Sequence, residues 1–178
     1  MRSLWENLYR RLARSTNTLQ CHQEYERIRQ RRVSLALYPD PASLIDFFHD
    51  PDRNLDDKDI IYGDLIREVQ EPQGATEAAA RLLWIGLWPG LDATWHACTR
   101  LFEGEDQELV GAITYHFTRH IQRANLKAIN RVAATLIMNT RRDVRGQRLR
   151  ELDGESLTTN LPEDDRLPAH GSFQAEDG

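Results

Sequence analysis

Cysteine is scarce in this chain of 178 residues, and long apolar runs are absent. The two cysteines, Cys21 and Cys98, lie far apart and form no Cys-x-x-Cys pair, which favours free thiols in a reducing compartment over a disulfide. The N-terminus carries charges where a signal peptide needs apolar residues, and no segment has the apolar length needed to span a bilayer. These features predict a cytoplasmic protein with no membrane partner.

Sequence signatures of catalysis are also missing. The chain has no Gly-rich phosphate loop, no Gly-x-Ser-x-Gly and no His-Glu-x-x-His. Asp56-Asp57-Lys58-Asp59 lacks the spacing of a calcium loop and is better explained as a helix N-terminus. His116 and His120 have the four-residue spacing of a metal pair, but no cysteine or well-placed acid completes a ligand set. The sequence therefore predicts neither an enzyme nor a bound metal or cofactor.

Alternation of apolar and polar residues with a period of two is not sustained anywhere, whereas helical spacing recurs along most of the chain. This pattern predicts an all-α protein, with an N-terminal helical region at 1–75 and a second helical domain at 76–150. Trp84, Trp88 and Trp95 follow helical spacing, which favours core packing over a binding stripe. Pro89-Gly90 predicts either a kinked helix or two helices end to end. One helix or a pair of helices is predicted at about 4–37, and further helices are predicted at about 43–49, 56–69, 76–102, 107–122 and 128–150.

Charge is distributed unevenly, although the net charge is only −5. Residues 119–150 contain nine basic residues and one acid, whereas residues 151–178 contain eight acids and one base. A strongly basic segment indicates a polyanionic partner. The acidic segment is rich in Gly, Ser, Thr and Pro, so we expect a disordered tail that competes with a polyanion for the basic helix.

The segment 136–150 carries the most functional information. Asn139 and Asp143 are one helical turn apart, and Arg142, Arg145 and Arg148 recur every three residues. Such a helix can place guanidinium groups on phosphates while an amide reads a base edge. A solvated helix end, whose arginines stabilise the helix dipole, explains the same residues equally well.

The order of these elements resembles region two of bacterial sigma factors, especially the extracytoplasmic-function group. Trp88-Pro89 matches a Trp-Pro-like step within the first family helix, and residues 105–110 match an acidic helix start that leads into a Leu-Val pair. Residues 136–150 match a final helix with the pattern Asn-x-x-x-Asp-x-x-Arg-x-x-Arg, here Asn139 to Arg148. The resemblance covers residues 78–150.

This resemblance implies an α-helical bundle of the sigma region-two type that regulates transcription. Its partners are the clamp helices of core RNA polymerase and the minus-ten element of promoter DNA. The N-terminal helices lie outside the resemblance, and we expect them either to support this domain or to bind another regulatory protein. The implied polymerase-binding residues are Asp106, Glu108, Leu109, Val110, Ile113 and Phe117. The implied DNA-binding residues are Lys127, Asn139, Arg141, Arg142, Arg145, Arg148 and Arg150.

Two departures keep a second function open. Gly111-Ala112 stands where the family has Gln-Glu after the Leu-Val pair, and no aromatic residue lies between His120 and Arg150. The alternative is a helical protein-interaction adaptor with a sigma-like fold that has lost DNA recognition.

Overall fold

Helices form the whole framework of the protein in a computed structural model that describes residues 3–72 and 74–159. No strand occurs in these described residues, which confirms the all-α fold. Short 3-10 turns lie at Val33–Leu35 and Thr99–Phe102. The helices are α1 (Ser3–Thr16), α2 (Leu19–Arg31), α3 (Pro41–His49), α4 (Leu55–Gln70), α5 (Thr76–Gly86), α6 (Trp88–Cys98), α7 (Asp106–Arg123) and α8 (Val132–Thr159).

Several helix starts are set by local sequence. Asp40 and Ser43 form a capping box around the first turn of α3, with Pro41 at a position that needs no amide hydrogen. Asn54 accepts a hydrogen bond of 2.8 Å from the Asp56 amide and so begins α4. These caps place the helix boundaries close to the predicted ones.

Helix α5 occupies the centre of the bundle and packs against α1, α2, α3 and α4. Its N-cap residue, Ala75, has no side chain that can accept a hydrogen bond. Carboxylates from other helices replace the missing cap, because the Ala78 amide donates to Glu24 Oε2 at 3.0 Å and the Ala75 amide donates to Glu68 Oε2 at 3.3 Å. The two buried amides at the start of α5 are therefore satisfied, whereas Thr76 and Glu77 are exposed.

Glu68 belongs to α4, and its side chain is completely buried beside the N-terminal end of α5. Arg32 Nε donates to Glu68 Oε1 at 2.8 Å, and Arg31 also pairs with this carboxylate. The backbone of Gly74 lies so close that an added Cβ would stand 1.8 Å from the carbonyl oxygen of Glu68. The turn before α5 thus requires glycine, and the ion pairs join α2 to α4.

The junction between α5 and α6 consists of two helices end to end rather than one kinked helix. Gly86 faces Phe48 and Tyr62, and a Cβ there would lie 2.7 Å from Phe48 Cδ2. Gly90 lies against Ile137 of α8 in the same manner. The two glycines allow α3, α4 and α8 to approach the junction closely.

The tryptophans pack largely inside the protein, which confirms the core interpretation for Trp84 and Trp95. Trp88 is half-buried and stacks on Trp5 of α1 with ring centroids 4.3 Å apart. Trp84 meets Phe117 edge to face at 4.8 Å. One buried cluster runs from Trp5 to Val144, so the regions on either side of residue 75 share a core.

Helix α8 differs from its predicted bounds of 128–150 at both ends. It begins at Val132, where the Ala133 amide donates to Asp59 Oδ1 of α4 at 2.9 Å. It continues to Thr159, and Glu151 supports the extension by accepting a hydrogen bond of 2.7 Å from Gln147 Nε2. The prediction of disorder was therefore wrong for 151–159, and the remainder of that predicted tail, 160–178, lies outside the described residues.

Replacing Glu68 with alanine is predicted to destabilise the protein strongly. The change removes the acceptor for the Ala75 amide and leaves Arg31 and Arg32 without their buried partner. Breaking a buried ion pair costs about 3–5 kcal/mol, which chemical denaturation can measure. Glu77→Ala is the matched control, because its exposed pair with Arg81 contributes about 1 kcal/mol or less. Equal losses in the two variants would contradict the role given to Glu68.

Candidate nucleic-acid interface

Helix α8 buries one face against the bundle and exposes the other. Leu136, Thr140 and Val144 point inward at four-residue spacing. The next position in this series is Arg148, which is also buried. The helix repeat of 3.6 residues therefore separates Arg148 from Arg145, although both belong to the same three-residue arginine series.

The Arg148 side chain is held inside the protein by α7 and by the turn at 99–102. Its Nε donates to the carbonyl oxygen of Leu101 at 3.0 Å, and its Nη2 pairs with Glu105 Oε2 at 2.5 Å. The guanidinium carbon lies 5.1 Å from the centre of the Phe102 ring. The prediction that Arg148 faces DNA is therefore corrected: this arginine joins α8 to its neighbours.

The outer side of α8 carries a basic face formed by Arg141, Arg142 and Arg145, all of which are exposed. Arg142 Nε lies 2.9 Å from Asp143 Oδ1. Within residues 3–72 and 74–159, neither Arg141 nor Arg145 has a carboxylate within ion-pair distance. The basic face therefore retains charge that the fold does not neutralise.

The other predicted DNA-binding residues lie at different places around this face. Arg150 is exposed but stands about 140° around the helix from Arg145, because each residue advances about 100°. Asn139 is half-buried one turn before Asp143, and Lys127 is exposed in the connector that precedes α8. The structure thus brings three of the seven predicted residues together on one surface.

Two ionisable groups behind the basic face respond to it electrostatically. Burial raises the pKa of the Cys98 thiol at the end of α6, while Arg141 and Arg145 act in the opposite direction. Partial burial alone would raise the pKa of Asp143, but the hydrogen bond from Arg142 and the nearby charges hold it below its usual value. Asp143 therefore stays ionised at neutral pH and offsets part of the charge of Arg142.

Exposed Arg100 is a cation that the sequence reasoning did not include. It lies in the turn at 99–102, which packs against α8. Arg100 is more than 40 positions from the α8 arginines, so the sequence does not show that the turn at 99–102 packs against α8. The packing of α6 on α8 brings this turn and α8 together.

The residues predicted to contact polymerase divide into two groups on α7. Leu109, Ile113 and Phe117 are fully buried in the core, as their four-residue spacing requires, so they cannot touch a partner directly. Glu108 is exposed, and Asp106 and Val110 are half-buried. The surface left for a partner is the first turn of α7 together with its outer side.

The two histidines of α7 face α8 rather than solvent. His116 Nε2 lies 2.8 Å from Gln147 Oε1, and His120 Nε2 lies 3.0 Å from Asp143 Oδ2. No group of three or more His, Cys, Asp and Glu side chains in the described part of the chain could hold a metal ion. The pair therefore belongs to the contact between α7 and α8.

A mainly apolar groove of about 390 Å³ lies where α3, α4, α8 and the junction of α5 and α6 meet. Polar groups at its edge already have structural partners. Lys58 Nζ donates to the carbonyl oxygen of Asp50 at 2.6 Å, and Tyr62 donates to that of Gly86 at 3.0 Å.

The chain matches no protein-family model, no curated protein and no solved structure. None of the helices in the described residues is long and apolar enough to cross a lipid bilayer.

Arg148→Ala and Arg145→Ala are predicted to differ sharply in stability. Loss of Arg148 leaves the Leu101 carbonyl without its hydrogen bond and removes the counter-charge near Glu105, at a cost of about 2 kcal/mol. Loss of exposed Arg145 changes the free energy of unfolding by about 0.5 kcal/mol or less. Urea unfolding of both variants measures the difference, and a stability loss at Arg145 equal to that at Arg148 would contradict the assignment.

Proposed function

We propose that the protein is a sigma-factor-like transcription regulator that binds DNA through the basic face of α8 and core RNA polymerase through the outer side of α7. The observation that carries the DNA-binding part is the pair of exposed guanidinium groups of Arg141 and Arg145, which form no ion pair with any residue that the structure describes. The resemblance of residues 78–150 to region two supplies the identity of the partners.

Arginine at these positions suits a phosphate backbone. A guanidinium group can donate two parallel hydrogen bonds to phosphate oxygens, and each neutralised phosphate releases condensed counterions. Since no carboxylate of the described residues pairs with Arg141 or Arg145, contact with phosphate breaks no ion pair among those residues. Arg142 can join them by exchanging its exposed contact with Asp143 for a phosphate.

Base recognition falls to Asn139 in this proposal. Its half-buried amide is three residues from Arg142 but about 160° around the helix from Arg141, so in this proposal it donates to and accepts from a base edge at the border of the basic face. Arg148 takes no part in DNA binding, because its guanidinium group is bonded internally. Phosphate contacts therefore supply most of the affinity, and sequence selectivity rests on few side chains.

Polymerase docking uses the part of α7 that remains accessible. Glu108 and Asp106 place negative charge at the start of the helix, and Val110 adds a half-buried apolar contact. The carboxylate of Glu105 repels that of Glu108, and this repulsion is the main reason why the pKa of Glu108 is raised. A basic partner surface would relieve this repulsion between like charges.

The adaptor alternative is favoured by one feature of α8. Met138 and Leu149 are exposed on the same side of the helix as the basic face, and no aromatic residue occurs in the sequence between His120 and Arg150. A surface that combines apolar and cationic side chains is also complementary to a helix of a partner protein that carries acidic residues beside an apolar edge. In that case the protein would capture a partner protein and leave DNA unbound.

The double substitution Arg141→Ala/Arg145→Ala is predicted to weaken binding to promoter-like duplex DNA by about tenfold or more at low salt. The slope of log affinity against log salt concentration should become shallower by the amount expected for the loss of about two phosphate contacts. Fluorescence anisotropy at several salt concentrations measures both quantities.

The matched control is Arg11→Ala/Arg14→Ala, which removes two exposed arginines from α1 and leaves α8 unchanged. We expect this variant to bind DNA like the wild type. Equal loss in both double variants would indicate nonspecific attraction to net charge, and no DNA binding by the wild type would favour the adaptor.

Glu108→Lys is predicted to abolish capture of core RNA polymerase in a pull-down, because it places a positive charge among the carboxylates of the docking turn. Asp57→Lys, at an exposed site in the first turn of α4, is the matched charge reversal and should leave capture intact. Circular dichroism checks that both variants remain helical. Failure of the wild-type protein to capture polymerase would contradict this part of the proposal.

A further inference from the structure

The mainly apolar groove between α3, α4, α8 and the junction of α5 and α6 takes no part in the proposed function. Its volume of about 390 Å³ lies within the range of small-molecule sites, which is about 300–1,000 Å³. Phe48, Tyr62 and Leu87 are buried and form its innermost wall. The hydroxyl group of Tyr62 already donates a hydrogen bond to the carbonyl oxygen of Gly86. This wall is therefore suited to an apolar group.

The outer walls of the groove are apolar as well. Leu55 at the start of α4 is 66% exposed, and Pro89 and Ile137 complete these walls. A Cβ added to Gly90 would lie 2.8 Å from Ile137 Cγ1, so α8 packs tightly on the start of α6. The groove thus has walls on rigid helices, and an apolar molecule in it would remove the Leu55 side chain from water.

One edge of the groove is positively charged. Lys58 and Arg131 both line the groove, and Ala133 and Ala134 bring the first turn of α8 to the same place. The N-terminal end of a helix carries partial positive charge on its amide groups. Three sources of positive potential therefore meet beside the apolar walls.

The ammonium group of Lys58 has no counter-ion. Lys58 is buried, and its Nζ donates to the carbonyl oxygen of Asp50 at 2.6 Å. The carboxylate of Asp50 pairs instead with Arg53 at 2.9 Å, and no carboxylate of the described residues lies within ion-pair distance of Lys58. An ammonium group has three hydrogen atoms to donate, and a buried cation without an ionic partner is unfavourable. An anionic group in the groove would offset this charge.

Arg131 can exchange its partner at low cost. Its guanidinium group pairs with Asp56, and both side chains are more than half exposed, so the pair contributes little to stability. Asp59 is the one carboxylate among the described residues that line the groove. It accepts a hydrogen bond from the Ala133 amide at 2.9 Å and lies 3.9 Å from Arg131 Nη1. The charge of Asp59 is therefore offset within the fold, and the edge remains positive.

From this arrangement we infer that the groove binds a small molecule with an apolar body and one terminal carboxylate, such as a medium-chain fatty acid. The apolar body lies against Phe48, Leu87 and Ile137, and the carboxylate meets Arg131 beside the start of α8. A neutral end group would forgo the charge-assisted hydrogen bonds, and a cationic end group would be repelled. The inference is independent of the proposed function.

Titration of the full chain with octanoate, octanol and octylamine, followed in proton–nitrogen NMR spectra, tests this inference. The three probes share a chain length and differ in the charge of the end group. We expect octanoate to cause saturable shifts of the amide signals of Gly86, Gly90 and Ala134, which line the groove. Octanol should bind roughly tenfold more weakly, because it makes no charge-assisted hydrogen bond. Octylamine should cause no saturable shift.

Two pairs of variants locate the site. Ala134→Trp places an indole in the groove and should abolish octanoate binding, whereas Ala42→Trp, at an exposed alanine of α3 outside the groove, should leave it unchanged. Arg131→Gln should reduce the affinity for octanoate to about that for octanol. Arg67→Gln, which alters an ion-paired arginine on the outer side of α4, is its matched control and should bind octanoate like the wild type.

The comparison of the three probes uses the wild-type protein, so it gives an answer even if a variant does not fold. The absence of saturable shifts with octanoate would overturn the inference. Equal affinities for octanoate and octanol, shifts confined to residues outside the groove, or retained binding in Ala134→Trp would also overturn it.

Discussion

Two buried carboxylates, Glu24 of α2 and Glu68 of α4, accept hydrogen bonds from the buried Ala78 and Ala75 amides at the start of helix α5. A buried helix start without such partners would be strongly unfavourable, because its free amides could not reach water. Arg31 and Arg32 then offset the charge of Glu68. This arrangement fixes α2, α4 and α5 relative to one another, and the aromatic contacts of α1 and the packing of α6 build on that frame.

The same type of contact sets the position of α8. Asp59 of α4 receives the Ala133 amide at the start of the helix, and Arg148 joins its later turns to α7 and to the turn at 99–102. These anchors leave only one side of α8 free. The free side carries Arg141, Arg142 and Arg145, so the exposure of the basic face follows from how the opposite side is held.

Local signals made much of the fold predictable from the sequence. Asp40-Pro41 and Asn54 mark helix starts, and the spacing of Leu109, Ile113 and Phe117 marks an inward face. The candidate site was less predictable, because the three-residue arginine spacing hides the four-residue series that turns Arg148 inward. The pairing of Glu68 with residues more than 30 positions away leaves no local signal, and neither does the packing of the turn at 99–102 against α8.

Arginine modification with phenylglyoxal, read out by mass spectrometry, tests the central claim most directly, because it compares each guanidinium group in the folded protein with and without duplex DNA. The account predicts that Arg141 and Arg145 react readily in the free protein and are protected by DNA, while Arg148 is unreactive in both states. Arg11 and Arg14 should react equally in both states. Ready modification of Arg148 in the folded protein, or no protection of Arg141 and Arg145 by DNA, would contradict the account.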